Sequence, residues 1–235
     1  MNYQYAYLFG ALLLGIVWLY IFITRRDLRY EMLFMSAFVG LLALTEIFFF
    51  GKYWEPDHIF KLYKLNLGVE DFLLCFFYGG VSAVCYEFVF KKIDSMKTVA
   101  KQSRRLVQVI ISLVVGLITL FLLEEFTDYN LVITSAISQL VVGITLFVFR
   151  LDLLLPTLVN ALIFMLIIVI IQYFTNLIFP DAITTIWQQD FLSSKFELLG
   201  IPIEEFFWHF TLGVAVGPAY EVFMGTKDSK FSQRF

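Results

Sequence analysis

Two pairs of adjacent carboxylates, Glu70-Asp71 and Glu204-Glu205, each open a long apolar stretch of this chain. Glu46 lies late in a third apolar run, and His209 follows Glu205 by one helical turn on the same face. Acids inside a membrane span are costly unless they face a bundle interior or a cavity. Carboxyls crowded in a low-dielectric site cannot all carry charge, so a protonated acid stands beside an ionised neighbour. Such a pair suits giving one proton and removing another. In an aromatic-rich bundle it suits protonating an alkene and guiding the resulting carbocation, because Phe and Tyr faces attract cations. The chain has 28 Phe and 12 Tyr, enough to line such a site. The same carboxyls also suit a proton relay in a transporter or cation binding, and the residues alone leave these open.

The elements that must position these acids are membrane helices. Of 235 residues, 60% are hydrophobic and 16% charged, and the mean hydropathy is +0.82. A soluble domain is nearer half apolar and a quarter charged, so the chain reads as an integral membrane protein. At ~20 apolar residues per span, its length holds seven spans and no separate soluble catalytic domain. A net charge of −3, with basic residues confined to short loops, argues against a nucleic-acid partner. Cys75 and Cys85 lie ~15 Å apart along one helix, too far for a disulfide. The first apolar run is followed, not preceded, by Arg25 and Arg26. A cleaved signal reads the other way round, so this run is expected to be the first transmembrane helix.

Apolar runs bounded by charge predict an all-α polytopic protein with seven helices over 5–24, 32–51, 68–91, 106–123, 131–149, 153–178 and 199–224. All the basic residues except Lys52, Lys61, Lys64 and Lys195 fall on one side of this topology. That bias predicts a multi-pass protein of the cell membrane, its N-terminus outside and its C-terminus cytoplasmic.

Residues 66–90 and 200–224 align without a gap, matching Glu70 with Glu204, Phe72 with Phe206, Gly79 with Gly213, Tyr86 with Tyr220 and Glu87 with Glu221. Upstream, Trp54-Glu55-Pro56-Asp57 and Phe179-Pro180-Asp181 both lead from a span to an acidic helix. The expected layout is a first three-helix repeat over 1–91, a connecting loop and helix over 92–130, a second three-helix repeat over 131–224, and a tail over 225–235. Helices three and seven run in the same direction, so the 3+1+3 repeat is parallel, with functional sites expected at its interface. Glu70, Asp71, Glu204, Glu205 and Glu46 then share one layer near the outer face. Glu87 and Glu221 stand ~25 Å away at the cytoplasmic ends.

Plainer roles compete for each residue. A carboxylate in a first helical turn is favoured by the helix dipole. Glu87 can pair with Lys91 four residues on. His209 can be a packing histidine. Gly79/Ala83 and Gly213/Gly217 have the small-xxx-small spacing of close helix packing. Pro218 is expected to kink helix seven. Ser138, Gln139, Asn160, Gln172 and Asn176 read as interhelical hydrogen-bond partners.

The pattern Pro-x-Glu-(Glu/Asp), intact as Pro202-Ile203-Glu204-Glu205, resembles the membrane-integral lycopene cyclases of the heterodimeric or fused type. So do the loop Tyr53-Trp54-Glu55-Pro56-Asp57 and the Tyr-Glu ending each third helix, over roughly residues 32–90 and 155–224. The resemblance implies an intramolecular lyase, an isomerase of the lycopene beta-cyclase type, that closes ionone rings on an apolar linear carotenoid within the bilayer. In that redox-neutral reaction an acid protonates the terminal alkene, the neighbouring double bond attacks the cation, and loss of a ring proton completes the ring. By the motif match, Glu204 and Glu205 inherit the catalytic assignment, with Glu70 and Asp71 as first-half counterparts. Glu46, His209, Glu87 and Glu221 are possible supporting residues. The first half departs from the motif, with Gly68 where the second has Pro202. No G-x-G-x-x-G nucleotide fingerprint is present, so neither cofactor nor metal is expected.

The rival reading is a non-catalytic carotenoid- or lipid-binding membrane protein, or a proton-coupled carrier. A retinal protein is disfavoured because helix 199–224 has no lysine, and a prenyltransferase because Asp71, Asp152 and Asp181 are isolated. The topology is testable by reporter fusions: a fusion within 92–105 is expected to report the cytoplasm and one within 51–66 the outside. The reverse pattern would overturn the orientation.

Overall fold

The computed structural model describes residues 3–48, 55–62, 67–91, 94–95, 102–180, 182–186, 196–225 and 227–228. Within these, α1 spans Ala6–Thr24, α2 Arg29–Leu42, α3 Val69–Phe90, α4 Gln102–Phe126, α5 Leu131–Phe149, α6 Leu154–Ile178, α7 Ala182–Ile186, α8 Ile203–Val216 and α9 Ala219–Met224. The chain is thus a multi-pass helical bundle. Six helical segments among the described residues are long and apolar enough to cross a membrane.

Six of the seven expected spans are recovered, with instructive differences. The second begins earlier than residue 32, because a 3-10 turn at Arg26–Leu28 leads directly into α2. It then tightens into a 3-10 helix over Ala43–Phe48. The expected span 199–224 is not one helix. Pro218 lacks the N–H that would continue the ladder, and the helix divides into α8 and α9 around Gly217-Pro218. The short α7 was not foreseen. Trp54 and Asp181 lie outside the described residues. Both cysteines are free.

The polar residues of α5 do not interrupt it, because each is bonded locally or to a neighbouring helix. Thr134 donates to Glu124 at 2.5 Å, Ser138 to the Gly116 carbonyl at 2.7 Å, and Gln139 accepts from Thr211 at 2.8 Å. Inside a bilayer such groups have no water to turn to, so they fix which helices touch. Asn160 of α6 goes further. Its amide nitrogen donates to the Ser82 carbonyl at 2.6 Å, and its oxygen accepts the Tyr86 N–H at 2.9 Å. It thereby sits between two α3 groups spaced as a normal helical hydrogen-bonded pair.

The same local features occur at both acidic helices. Strands β1 (Lys61–Leu62) and β2 (Leu67–Gly68) pair antiparallel just before α3. After β3 (Asp94–Ser95), strands β4 (Glu197–Leu198) and β5 (Ile201–Pro202) do the same before α8, and β6 (Lys227–Asp228) pairs with β3. The Val69 N–H donates to Phe60 O, and the Ile203 N–H to Phe196 O, both at 3.1 Å. At the other end, Arg25 forks onto Asp27 and donates to the Glu87 carbonyl at 2.7 Å. Arg150 forks onto Asp152 and donates to the Glu221 carbonyl at 3.3 Å. The glycines match too: Gly79 lies against Met35 and Val39 of α2, and Gly213 against Ala161 of α6.

These contacts are tight enough to test. A Cβ on Gly79 would run into the Met35 carbonyl, which is backbone and cannot swing aside, whereas one on Gly40 would meet its nearest atom at 3.7 Å. Gly79→Ala is therefore expected to cost about 1–3 kcal/mol by overpacking. Gly40→Ala is expected to be neutral or stabilising by up to about 1 kcal/mol through helix propensity. Denaturant titration of the protein in detergent micelles measures both.

Candidate active site

Glu70 and Asp71 occupy the first turn of α3, and Glu204 and Glu205 that of α8. All four are nearly inaccessible. In each case a hairpin ends immediately before the helix, which fixes where the chain enters it and turns both acids inward.

The two pairs are held differently. Asp71 accepts the Gly68 N–H at 2.7 Å and meets His58 Nε2 at 2.9 Å. Glu70 accepts the N–H groups of Ile59 and Phe60 at 2.8 and 3.1 Å. The first pair thus ties the 55–60 loop to the start of α3. Gly68 explains the departure from the motif: a side chain there would enter the His58 ring, and proline would remove the N–H that Asp71 accepts. Pro202 has no N–H to give, and Glu205 turns instead to Gln172 of α6, whose Nε2 donates to it at 2.6 Å.

His209 lies one turn after Glu205. Its Nδ1 meets the Glu205 carbonyl oxygen at 2.8 Å, and the carboxylate Oε2 is 3.6 Å away. A carbonyl only accepts, so Nδ1 carries the hydrogen. In the neutral ring Nε2 is then bare and accepts from the Tyr78 hydroxyl, 2.8 Å away on α3. This contact joins the two acidic helices.

These groups surround a cavity of about 310 Å³, whose wall is mostly apolar and comes from α1 to α9. Its polar wall groups include Tyr7, Glu46, Cys75, Tyr78, Gln139, Gln172 and His209, and Trp208 adds an aromatic face. Of the eight residues singled out from the sequence, Glu46 and His209 line the cavity. Glu205 stands one hydrogen bond behind it, through Gln172. Glu70, Asp71 and Glu204 are not on its wall. Glu87 and Glu221 lie at the opposite helix ends, where Arg25 and Arg150 take their backbone carbonyls.

Sequence reasoning missed His58, Tyr7 and Tyr78. His58 is one of only two histidines and directly follows Glu55-Pro56-Asp57, a signal that was available. Tyr7 stacks edge-on against His58 with ring centroids 5.7 Å apart, and it lies within electrostatic range of Glu46, Asp71 and Cys75. Nothing distinguished Tyr7 or Tyr78 from the other tyrosines.

Residues 130–223 match the family model of lycopene cyclase. The match supports a lycopene cyclase family domain in the second half of the chain. The match takes in α5 to α9, and with them Gln172, Glu204, Glu205 and His209, while Glu70 and Asp71 lie outside it. No curated protein and no solved structure matches the chain. The domain supports a carotenoid cyclase function for an enzyme embedded among apolar helices. A site lined by apolar walls with a few convergent polar groups is the form such a substrate needs.

The contrast between the two helix starts yields a prediction. Gly68→Pro would take one backbone N–H donor from the buried Asp71 and force the ring into His58. It is expected to cost about 1–3 kcal/mol and to lower the folded fraction in membranes. Pro202→Gly is expected to cost less than about 1 kcal/mol. Equal effects in detergent-resistant folding assays would refute this account of Gly68.

Proposed function

We propose that the protein is a membrane lycopene cyclase that closes ionone rings on a linear carotenoid by redox-neutral, proton-initiated cyclisation. The observation that carries this reading is the aromatic, apolar cavity with carboxyl and imidazole groups on or just behind its wall, in a chain whose second half is a lycopene cyclase domain. The cavity is smaller than a whole linear carotenoid, so one end group enters at a time. The Tyr78 and Trp208 side chains on the wall put aromatic rings within reach of the carbocation.

In this reading Glu204 and Glu205 belong to the half of the site that removes the ring proton. His209 takes that proton at Nε2 once Tyr78 has swung aside, and the Glu205 carboxylate stabilises the imidazolium that results. Glu70 and Asp71, held by backbone N–H groups and His58, serve mainly to fix the start of α3. The chain would cross the cell membrane seven times, with α8 and α9 together forming the last crossing, and with its N-terminus outside. The parallel 3+1+3 relation is supported by the matching hairpins, arginine forks and glycine contacts of the two halves.

The test is product analysis in a host that accumulates lycopene. The wild-type protein is expected to yield ring-closed product. Glu204→Gln and Glu205→Gln should each lose about 10²–10⁴-fold in turnover, the usual worth of general acid–base help, while remaining folded in membranes. If these acids served only the helix dipole, the same changes would cost about 0.3–1 kcal/mol of stability and leave activity intact. Glu70→Gln and Asp71→Asn are expected to lower folded protein more than turnover per folded molecule.

A further inference from the structure

Resting on the cyclase reading, we propose that Glu46 is the catalytic acid of the site, the carboxyl that touches the substrate and gives the first proton. Glu46 is the one acidic side chain on the cavity wall among the described residues. It ends a stripe of α2 positions that face the cavity, Met35, Val39 and Leu42 among them, spaced as one helical face. Cys75 of α3 donates its thiol hydrogen to Glu46 Oε1 at 3.3 Å, which aims the carboxyl along the wall. Tyr7 of α1 also lies within electrostatic range of Glu46.

The position of Glu46 along the membrane supports this role. The 3-10 helix over Ala43–Phe48 rises faster per residue than an α-helix. Glu46 therefore stands about 27 Å above the start of α2. On the unbroken α6, Gln172 also stands about 27 Å above the start of its helix. The two wall residues share a level, and so do Cys75 and His209, which correspond in the aligned acidic helices. Glu46 presents a carboxyl to the cavity. Gln172 and His209 present an amide and an imidazole with the carboxyl of Glu205 behind them.

This arrangement gives the two proton transfers to two different residues of the cavity wall. The protonated carboxyl of Glu46 gives its hydrogen to the terminal alkene carbon and becomes a carboxylate. The adjacent double bond supplies the electron pair of the new ring C–C bond, moving the cationic centre into the ring. The ring C–H bond then breaks, its electrons form the ring double bond, and its proton goes to His209. One proton has been given and one taken, so return of the His209 proton to Glu46 resets the site without a co-reactant or a change of oxidation state.

The experiment compares wild type, Glu46→Gln, Glu46→Asp and Glu205→Gln in lycopene-accumulating cells, reading ring-closed product and co-purifying linear carotenoid per unit of folded protein. Glu46→Gln is expected to lose about 10²–10⁴-fold in product while still co-purifying with the linear carotenoid. Glu46→Asp, which keeps the acid but withdraws it, is expected to fall between the two. Wild-type yield from Glu46→Gln with Glu205→Gln inactive would overturn the role of Glu46 and leave the cyclase reading standing. A wild-type protein that closes no ring would overturn both. Should Glu46→Gln fail to fold, the wild-type protein is treated with a linear carotenoid bearing a terminal epoxide, which a carboxylic acid opens to form an ester. An ester mapped by mass spectrometry to Glu46 supports the proposal, and an ester elsewhere, or none, overturns it.

Discussion

A carboxyl taken into the apolar interior of a membrane bundle needs donors, and only the protein can supply them. The architecture around both acidic helices follows from that constraint. At α3 the donors are backbone: the N–H groups of Ile59, Phe60 and Gly68 reach Glu70 and Asp71, with His58 completing the set. This requires the loop before the helix to fold back over it, which the β1–β2 hairpin enforces. At α8 the donor to Glu205 is a side chain, Gln172, so here the second long helix of the half, not the loop, is tied to the acid. One need met in two ways leaves one pair of acids locked into the scaffold and the other next to the cavity.

The same constraint governs how the helices meet. Asn160 satisfies two α3 backbone groups, Trp18 donates to Ser36 at 3.0 Å, and Trp208 to Ser135 at 3.0 Å. Each of these polar contacts joins a different helix pair. Glycines then let the backbones close to contact distance, most tightly at Gly79 and Gly213. At the break, Gly217 lies against the side chain of Asn160, while Pro218 ends the helical ladder. Packing that is dense at the glycines and interrupted at the cavity gives a rigid scaffold around an apolar space.

The tie between Tyr78 and His209 bears most directly on chemistry. It spans the two acidic helices, fixes the imidazole tautomer through the Glu205 carbonyl, and sets two ionisable groups on one wall. The stretch similar to lycopene cyclase supplies His209 and Glu205, while Tyr78, Glu46 and Tyr7 come from the part of the chain outside the match. A site assembled across both parts explains why neither half alone would hold the cavity.

The sequence by itself determined that the chain is a helical membrane protein, where its first six spans lie, and that two acid pairs begin corresponding helices. Hydrophobic run length and charge placement are local properties that survive translation into structure. It also identified Asn160, Gln172, Asn176, Ser138 and Gln139 as contact formers, because an uncharged polar residue inside a span has few other uses. What only the tertiary structure decided is which candidates meet the cavity. Glu46 and His209 line it while Glu70, Asp71 and Glu204 do not, and Tyr7 and Tyr78 line it unforeseen. The division of the last span, the tightening of α2 into a 3-10 helix and the reason for Gly68 also lay beyond the sequence. Each depends on the rotation of one helix against another and on atoms distant in the chain, and residue spacing along a single helix carries no record of either.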